Sequence, residues 1–263
     1  MSGRSRLSHL TGFVANRLPK PLLRHPPVTR EEPRSARTRR RRVVAGVSVV
    51  GAGLLGRSLS TSPGSRAFYG QTLAVAGIWT AGGLLSGPLH LGWIEHRDDR
   101  LRRPVLTPVA TGAGAFGFFY GCALVARRLP LLDDALARVL RFADEGSTPM
   151  VALTACANGV AEEVFFRGAL YSALDERHAV LTSTAVYTLA TVPTRNPALV
   201  LAAGAMGTLF ALQRRATGGI QAPALTHLTW SLLMLRFLPP LFRSAWKERA
   251  AGTAALAKGA RHG

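Results

Sequence analysis

Two adjacent carboxylates and an arginine stand inside a long apolar stretch of the sequence. Residues 151–174 are apolar around Asn158, Glu162, Glu163 and Arg167. Ionisable side chains at membrane depth each cost a few kcal/mol and therefore need compensation. On a helix, Glu163 and Arg167 are four residues apart, and this spacing predicts an ion pair. Glu162 points about 100° away from Glu163, so we expect its partner to be another helix or water.

The chemistry that such a carboxylate can perform is general acid or base catalysis. In an apolar setting a carboxylate accepts a proton more readily than in water, as a base that works near neutral pH must. Ionisable groups within a membrane are functional by default, which favours catalysis for Glu162. A purely stabilising network of Glu162, Glu163 and Arg167 remains the structural alternative.

A second polar group lies about 60 residues further on. His227 and Ser231 are four residues apart on one helical face, with Thr226 and Thr229 nearby. His227 could donate a hydrogen bond to an oxyanion, orient a water or bind a metal, and Ser231 could assist as a weaker donor. A single histidine in an apolar helix is more often structural. The carboxylates on another helix favour a functional role here.

Together these residues resemble a known family. The pattern EExxxR at Glu162, Glu163 and Arg167, followed by APxxxH from Ala222 to His227, is similar to the CPBP family of intramembrane proteases. This family is also called the CAAX protease and bacteriocin-processing, or Abi, family. The resemblance covers about residues 147–240, and the two motifs together are fairly specific.

The resemblance implies a role for each matching residue. In that family the first Glu activates a water for peptide hydrolysis, and the Arg supports the carboxylates. Histidines of a central FxxxH motif and of a later HxxxN or HxxxD motif bind or polarise the scissile carbonyl. Glu162 is then the candidate general base, Glu163 and Arg167 are the supporting pair, and His227 is the histidine of the last motif.

Two positions depart from the family pattern. The segment that matches FxxxH runs from Tyr187 to Thr191, so a threonine replaces its histidine, and Ser231 replaces the Asn or Asp of the last motif. A threonine hydroxyl donates to a neutral oxygen but binds divalent metals poorly. We therefore expect no cofactor and no metal, and a weaker oxyanion site made by His227, Ser231 and Thr191.

The apolar pattern predicts an all-α fold, a multi-pass transmembrane bundle of about six to eight spans. Apolar runs near 20 residues indicate spanning helices. The stretch 127–146 alternates apolar and charged residues and predicts an interfacial helix or loop. The predicted apolar segments cover 43–60, 67–93, 104–126, 148–174, 179–193, 197–213 and 219–241.

Basic residues flank these segments. The chain has a net charge of +19, yet 48% of its residues are hydrophobic. Residues 1–42 form a basic arm, expected to be cytoplasmic and disordered or interfacial; the bundle follows at 43–241, with its CPBP-like core at 147–240, and then a basic tail at 242–263. Arginines beside apolar segments indicate a cytoplasmic membrane face. We expect an integral protein of a prokaryotic plasma membrane that contacts lipids and a peptide or membrane-protein substrate, but no nucleic acid.

A glycine pattern in the first apolar segment imitates a nucleotide-binding loop. Gly51, Gly53 and Gly56 fit GxGxxG, but no acidic residue follows between Val43 and Trp93 to hold a ribose. The same pattern recurs from Gly112. Close helix packing through small residues explains both better.

Three functions fit these observations. The first is an intramembrane endopeptidase of the CPBP/CAAX type that hydrolyses peptide bonds at or in the bilayer with a water activated by Glu162. The second is a protease-fold membrane scaffold with weakened or lost catalysis, which Thr191 and Ser231 support. The third is a small membrane transporter that uses the carboxylates as a proton or cation site.

Overall fold

The computed structural model describes residues 34–95 and 100–242, except for the side chain of Glu95. Its elements are almost entirely helical, which confirms the predicted all-α fold. Most of the predicted basic arm and nearly all of the basic tail lie outside the described residues. The helices are α1 (Arg34–Ser58), α2 (Arg66–Ser86), α3 (Leu106–Ala126), α4 (Pro130–Asp144), α5 (Thr148–Glu162), α6 (Tyr171–Ala173), α7 (Ala179–Thr191), α8 (Pro197–Thr217) and α9 (Gln221–Phe237).

Three shorter elements join or interrupt these helices. A π-helical segment, Glu163–Leu170, continues α5 into α6, and a 3₁₀ turn, Val192–Thr194, follows α7. Strands β1 (Ile94–Glu95) and β2 (Leu101–Arg102) form a small antiparallel hairpin between α2 and α3.

Several boundaries differ from the sequence prediction. Helix α1 begins at Arg34, inside the stretch assigned to the arm, and Arg40 is only 3% exposed. Helix α2 ends at Ser86, because Gly87 takes a positive φ of 145° that ends the helix. The predicted α-helix at 148–174 is one continuous rod, but its second half is π-helical. The stretch 127–146, predicted as an interfacial helix or loop, contains helix α4.

The helices run alternately between two ends of a bundle. At one end, called the arm end, Arg41 donates to the carbonyl of Ala173, and Trp93 donates its backbone N–H to Thr217. At the opposite end, called the far end, α1 approaches Pro193, and Leu238 packs in a cluster with Ala123. Helices α5, α7, α8 and α9 therefore cross the middle of the bundle side by side.

The middle of the bundle is a dense aromatic core. Phe165 and Phe166 are fully buried, and the Phe166 ring meets those of Trp79 and Tyr187 edge-on, with centroids 5.3 and 4.8 Å apart. Edge-to-face pairs of this kind stabilise a core beyond their area burial. The core fixes the helix that carries both carboxylates against α2 and α7.

Glycines allow the closest helix contacts. A side chain at Gly51 would overlap Trp79, and one at Gly56 would overlap Pro193, whereas Gly53 faces open space. Gly112 lies against the backbone of Thr226 in the same way. Close packing therefore explains three of the six glycines in the two patterns, because Gly114 and Gly117 also face open space.

Two described helices are long and apolar enough to cross a membrane. They are α3 and α8, each of 21 residues, and most of their side chains face outward. At a rise of 1.5 Å per residue each is about 31 Å long, close to the hydrocarbon thickness of a bilayer. The six to eight spans stay a prediction.

Candidate active site

Both carboxylates lie where the helical geometry changes. Glu162 is the last residue of α5, and Glu163 is the first residue of the π-helical segment. A π-helix inserts an extra residue into the turn, and such segments are frequent at functional sites. The two neighbouring carboxylates point into different surroundings.

Glu163 is the centre of a buried ionic network. Its Oε1 lies 3.3 Å from Nη1 of Arg167 and 2.9 Å from Nδ1 of His227. The side chains of Glu163 and Arg167 are both completely buried. Arg167 therefore forms the ion pair that its spacing from Glu163 predicts, and the pair also holds His227.

Arg167 is further fixed by helix α8 and by two rings. Its Nη2 donates to the carbonyl of Gly207 at 3.1 Å, and its guanidinium carbon lies 4.4 Å from the ring centre of Tyr187 and 5.1 Å from that of Phe210. Helix α8 is started by Asn196, whose side chain accepts from two backbone N–H groups. Cation–π contacts and a backbone acceptor stabilise a buried guanidinium that one carboxylate alone would not satisfy.

His227 is held by stacking as well as by Glu163. Its ring is stacked on Phe210 with centroids 4.7 Å apart and an interplanar angle of 21°. Because Nδ1 contacts a carboxylate, it carries a proton, and the opposite atom, Nε2, is left for other partners.

Glu162 differs from Glu163 in being accessible. Its side chain is 14% exposed, its Oε2 accepts a hydrogen bond of 2.5 Å from the Tyr187 hydroxyl, and the same oxygen lies 4.0 Å from Nε2 of His227. The expectation that Glu162 contacts another helix is met by Tyr187 on α7. Glu162 and Nε2 of His227 thus face a common space.

In the described part of the chain, Thr191 and Ser231 make no hydrogen bond to the carboxylates. The Thr191 hydroxyl donates to the Tyr187 carbonyl of its own helix at 3.0 Å. Ser231 is half-buried, and its hydroxyl makes no hydrogen bond within residues 34–95 and 100–242. Their assistance to an oxyanion stays a prediction.

Sequence reasoning assigned no role to Tyr187 or Phe210. Tyr187 occupies the first position of the segment that matches FxxxH, where the family has phenylalanine. Its additional hydroxyl was the available signal, because a buried tyrosine O–H needs an acceptor. Phe210 offered no signal, since nothing in the sequence distinguishes it from other apolar residues of α8.

The site offers few side chains that could bind a metal. Oε1 of Glu163 is shared by Arg167 and His227, and Oε2 of Glu163 is buried without a hydrogen bond in the described part of the chain. Among the described residues, no group of three His, Cys, Asp or Glu side chains could hold a metal ion. The absence of a metal stays a prediction.

Part of the chain matches a known protein family. Residues 144–233 match the family model described as Rce1-like, type II CAAX prenyl endopeptidase. No curated protein and no solved structure is significantly similar to the chain. The matched family is membrane-embedded, in keeping with the two apolar helices. Over about a third of its length the chain is thus similar to the CAAX-type intramembrane proteases, which confirms the resemblance inferred from its EExxxR and APxxxH motifs.

Proposed function

We propose that this protein is an intramembrane endopeptidase that hydrolyses peptide bonds with a water activated by Glu162. The observation that carries the proposal is the pair of atoms formed by Oε2 of Glu162 and Nε2 of His227, 4.0 Å apart and both oriented by other hydrogen bonds. Two polar atoms at this distance are too far apart for a direct hydrogen bond but can share one water.

The charges of the site support this role. The guanidinium of Arg167 balances the charge of the fully buried Glu163, so this pair is neutral. Neutrality matters because an unbalanced charge in this buried region is costly. Glu163 and Arg167 hold His227 in position, while Glu162 keeps the exposed edge that a substrate needs.

The proposed reaction uses the chain's own groups at each step. Glu162 removes a proton from the water while the water oxygen attacks the carbonyl carbon of the peptide bond. The protonated Nε2 of His227 donates a hydrogen bond to the oxyanion that forms. The proton on Glu162 then passes to the amide nitrogen, the C–N bond breaks, and a carboxylic acid and an amine leave. The Tyr187 hydroxyl orients Glu162 throughout.

The substrate proposed is a peptide or a membrane protein within reach of the bilayer. Glu162 lies 14 residues after the start of α5 and within a bundle whose outer helices are apolar. A segment that enters this site must therefore be accommodated by the membrane, as expected for an integral plasma-membrane enzyme.

The test is cleavage of a quenched fluorescent peptide library by the full-length protein in liposomes. We expect Glu162→Gln and His227→Ala to lose at least about 100-fold in rate, the size of effect seen when a key donor is removed from an active site. Glu176→Gln is the matched control, because Glu176 is exposed in the loop that follows α6. A chelator should leave the rate unchanged.

Two results would contradict the proposal. Loss of cleavage on chelation would mean that a metal participates. Absence of cleavage by a well-folded wild type over the whole library would favour a scaffold that keeps the protease fold without its activity.

A further inference from the structure

An open apolar groove of about 770 Å³ lies at the far end of the bundle, away from the carboxylates. Its walls are the connection from α3 into α4 and the segment that joins α7 to α8. Leu129, Leu131, Val192 and Leu201 line it and are 50%, 67%, 49% and 62% exposed. A continuous exposed apolar surface of this kind indicates an apolar partner.

The position of the groove defines its surroundings. Both helices that are long and apolar enough to cross a membrane have an end here: α3 ends at Ala126, shortly before Leu129, and α8 begins at Pro197, which lines the groove. The ends of spanning helices lie where the hydrocarbon core meets the lipid head groups. The groove therefore opens at the depth where an acyl chain joins its head group.

One charge marks the rim of the groove. Arg195 is the only charged residue among the described residues that line it, and within the described ranges its guanidinium forms no ion pair. Its backbone is left-handed, with a φ of 54°, and its N–H donates to the carbonyl of Val192 at 2.9 Å. Arg127 and Arg128, both exposed, directly precede Leu129 and add positive charge nearby.

The side chain of Asn196, which also lines the groove, is already hydrogen-bonded within the fold. The Asn196 side chain donates to the carbonyl of Ala135 at 2.7 Å and accepts from the backbone N–H groups of Ala198 and Leu199. Arg195 is thus the lining side chain that is left to bind a ligand.

We propose that this groove binds an anionic glycerophospholipid, with an acyl chain against the leucine side chains and the phosphate at Arg195. An apolar surface with a single cationic rim is complementary to a molecule that has an apolar chain and one anionic head group. The site is independent of peptide hydrolysis and lies at a different place in the bundle.

The first test is native mass spectrometry of the full-length protein with phosphatidylglycerol and with phosphatidylcholine of identical chains. We expect the wild type to prefer phosphatidylglycerol, and Arg195→Asn to lower its binding about fivefold, the effect of one basic side chain near an anionic head group. Asparagine is chosen because it tolerates a left-handed backbone. Arg195→Lys should keep the preference, and so should Arg66→Asn, an exposed arginine elsewhere at the far end.

The second test locates the lipid. Phosphatidylglycerol with a photoreactive group on its acyl chain should crosslink to peptides that contain residues 129–132 or 192–201. The proposal is overturned if wild type binds both lipids equally, if Arg195→Asn keeps the full preference, or if the crosslinks are spread evenly around the bundle, as for annular lipid only.

Discussion

Glu162 and Glu163 are neighbours in the chain, yet their surroundings differ. Glu163 is completely buried between Arg167 and His227, whereas Glu162 keeps an exposed edge and is held by a neutral hydroxyl. A compensated carboxylate is suited to hold its neighbours in place. The accessible one is suited to exchange protons with water. This difference assigns separate roles to two residues of the same type.

The Tyr187 hydroxyl can be tested without disturbing the core. Tyr187→Phe removes the hydrogen bond to Glu162 but keeps the ring that packs on Phe166. A hydrogen bond to a carboxylate contributes about 1.5 to 3 kcal/mol, so we expect the turnover rate to fall about 10- to 150-fold. The rate of peptide cleavage measures it. Tyr120→Phe, which alters a tyrosine outside the site, should not change the rate; an unaltered rate in Tyr187→Phe would remove Tyr187 from the mechanism.

The buried ion pair has a matched surface counterpart. Arg167 and Glu163 are fully buried, while Arg141 and Glu145 have the same spacing on α4 with side chains 46% and 40% exposed. The hydrogen bond from Arg141 to Glu145 raises the pKa of the Arg141 guanidinium, but solvent screens the pair.

Removing each arginine therefore has different consequences for stability. Arg167→Met leaves Glu163 without its main counter-charge, and we expect a loss of about 3 to 5 kcal/mol. Arg141→Met should cost less than about 0.5 kcal/mol. Thermal unfolding in detergent compares the two. Equal losses would mean that Arg167 contributes no more than a surface charge.

At the level of single elements, the spacing of residues in the sequence predicted side-chain contacts within one helix. It did not predict contacts between two helices. The Glu163–Arg167 pair follows from a separation of four residues, and this survives the change from α- to π-helix. The contact of Tyr187 with Glu162 joins two helices, so no local pattern contains it. No local sequence pattern predicted the π-helical segment, in which Phe165 and Phe166 are fully buried. The sequence likewise predicted that the basic arm ends before Val43, whereas α1 begins at Arg34. The charge of a segment does not show where a helix begins.

Helix α1 offers a direct test of packing by glycine. A side chain at Gly56 would overlap the backbone carbonyl of Pro193, whereas Gly53 on the same helix faces open space. We expect Gly56→Ala to destabilise the protein by about 1 to 3 kcal/mol through overpacking. Gly53→Ala should be neutral or stabilising by up to about 1 kcal/mol, because alanine favours helix. The difference in thermal unfolding temperature reports it, and similar effects at both positions would mean that α1 does not pack closely at Gly56.

At the scale of the whole molecule, the distribution of charged residues along the bundle predicts its orientation in the membrane. The run Arg39 to Arg42 lies in the first turns of α1 at the arm end, and Arg214 and Arg215 end α8 there. Acidic side chains of α4 offset part of the charge at the far end. Positive charge beside spanning helices is retained on the cytoplasmic side. The arm end is therefore expected to face the cytoplasm, and the apolar groove at the far end is expected to lie in the opposite leaflet.

This orientation can be measured on a single helix. Thr38 lies near the start of α1, and Ser60 lies two residues beyond its end. Both are exposed, and the 25 residues of α1 extend about 37 Å. In a background without Cys122 and Cys156, a membrane-impermeant maleimide added to intact cells should label Ser60→Cys and leave Thr38→Cys unlabelled. Permeabilised cells, in which both positions should react, are the control for accessibility. Labelling of Thr38→Cys alone in intact cells would reverse the orientation, and labelling of both would mean that α1 does not cross the membrane.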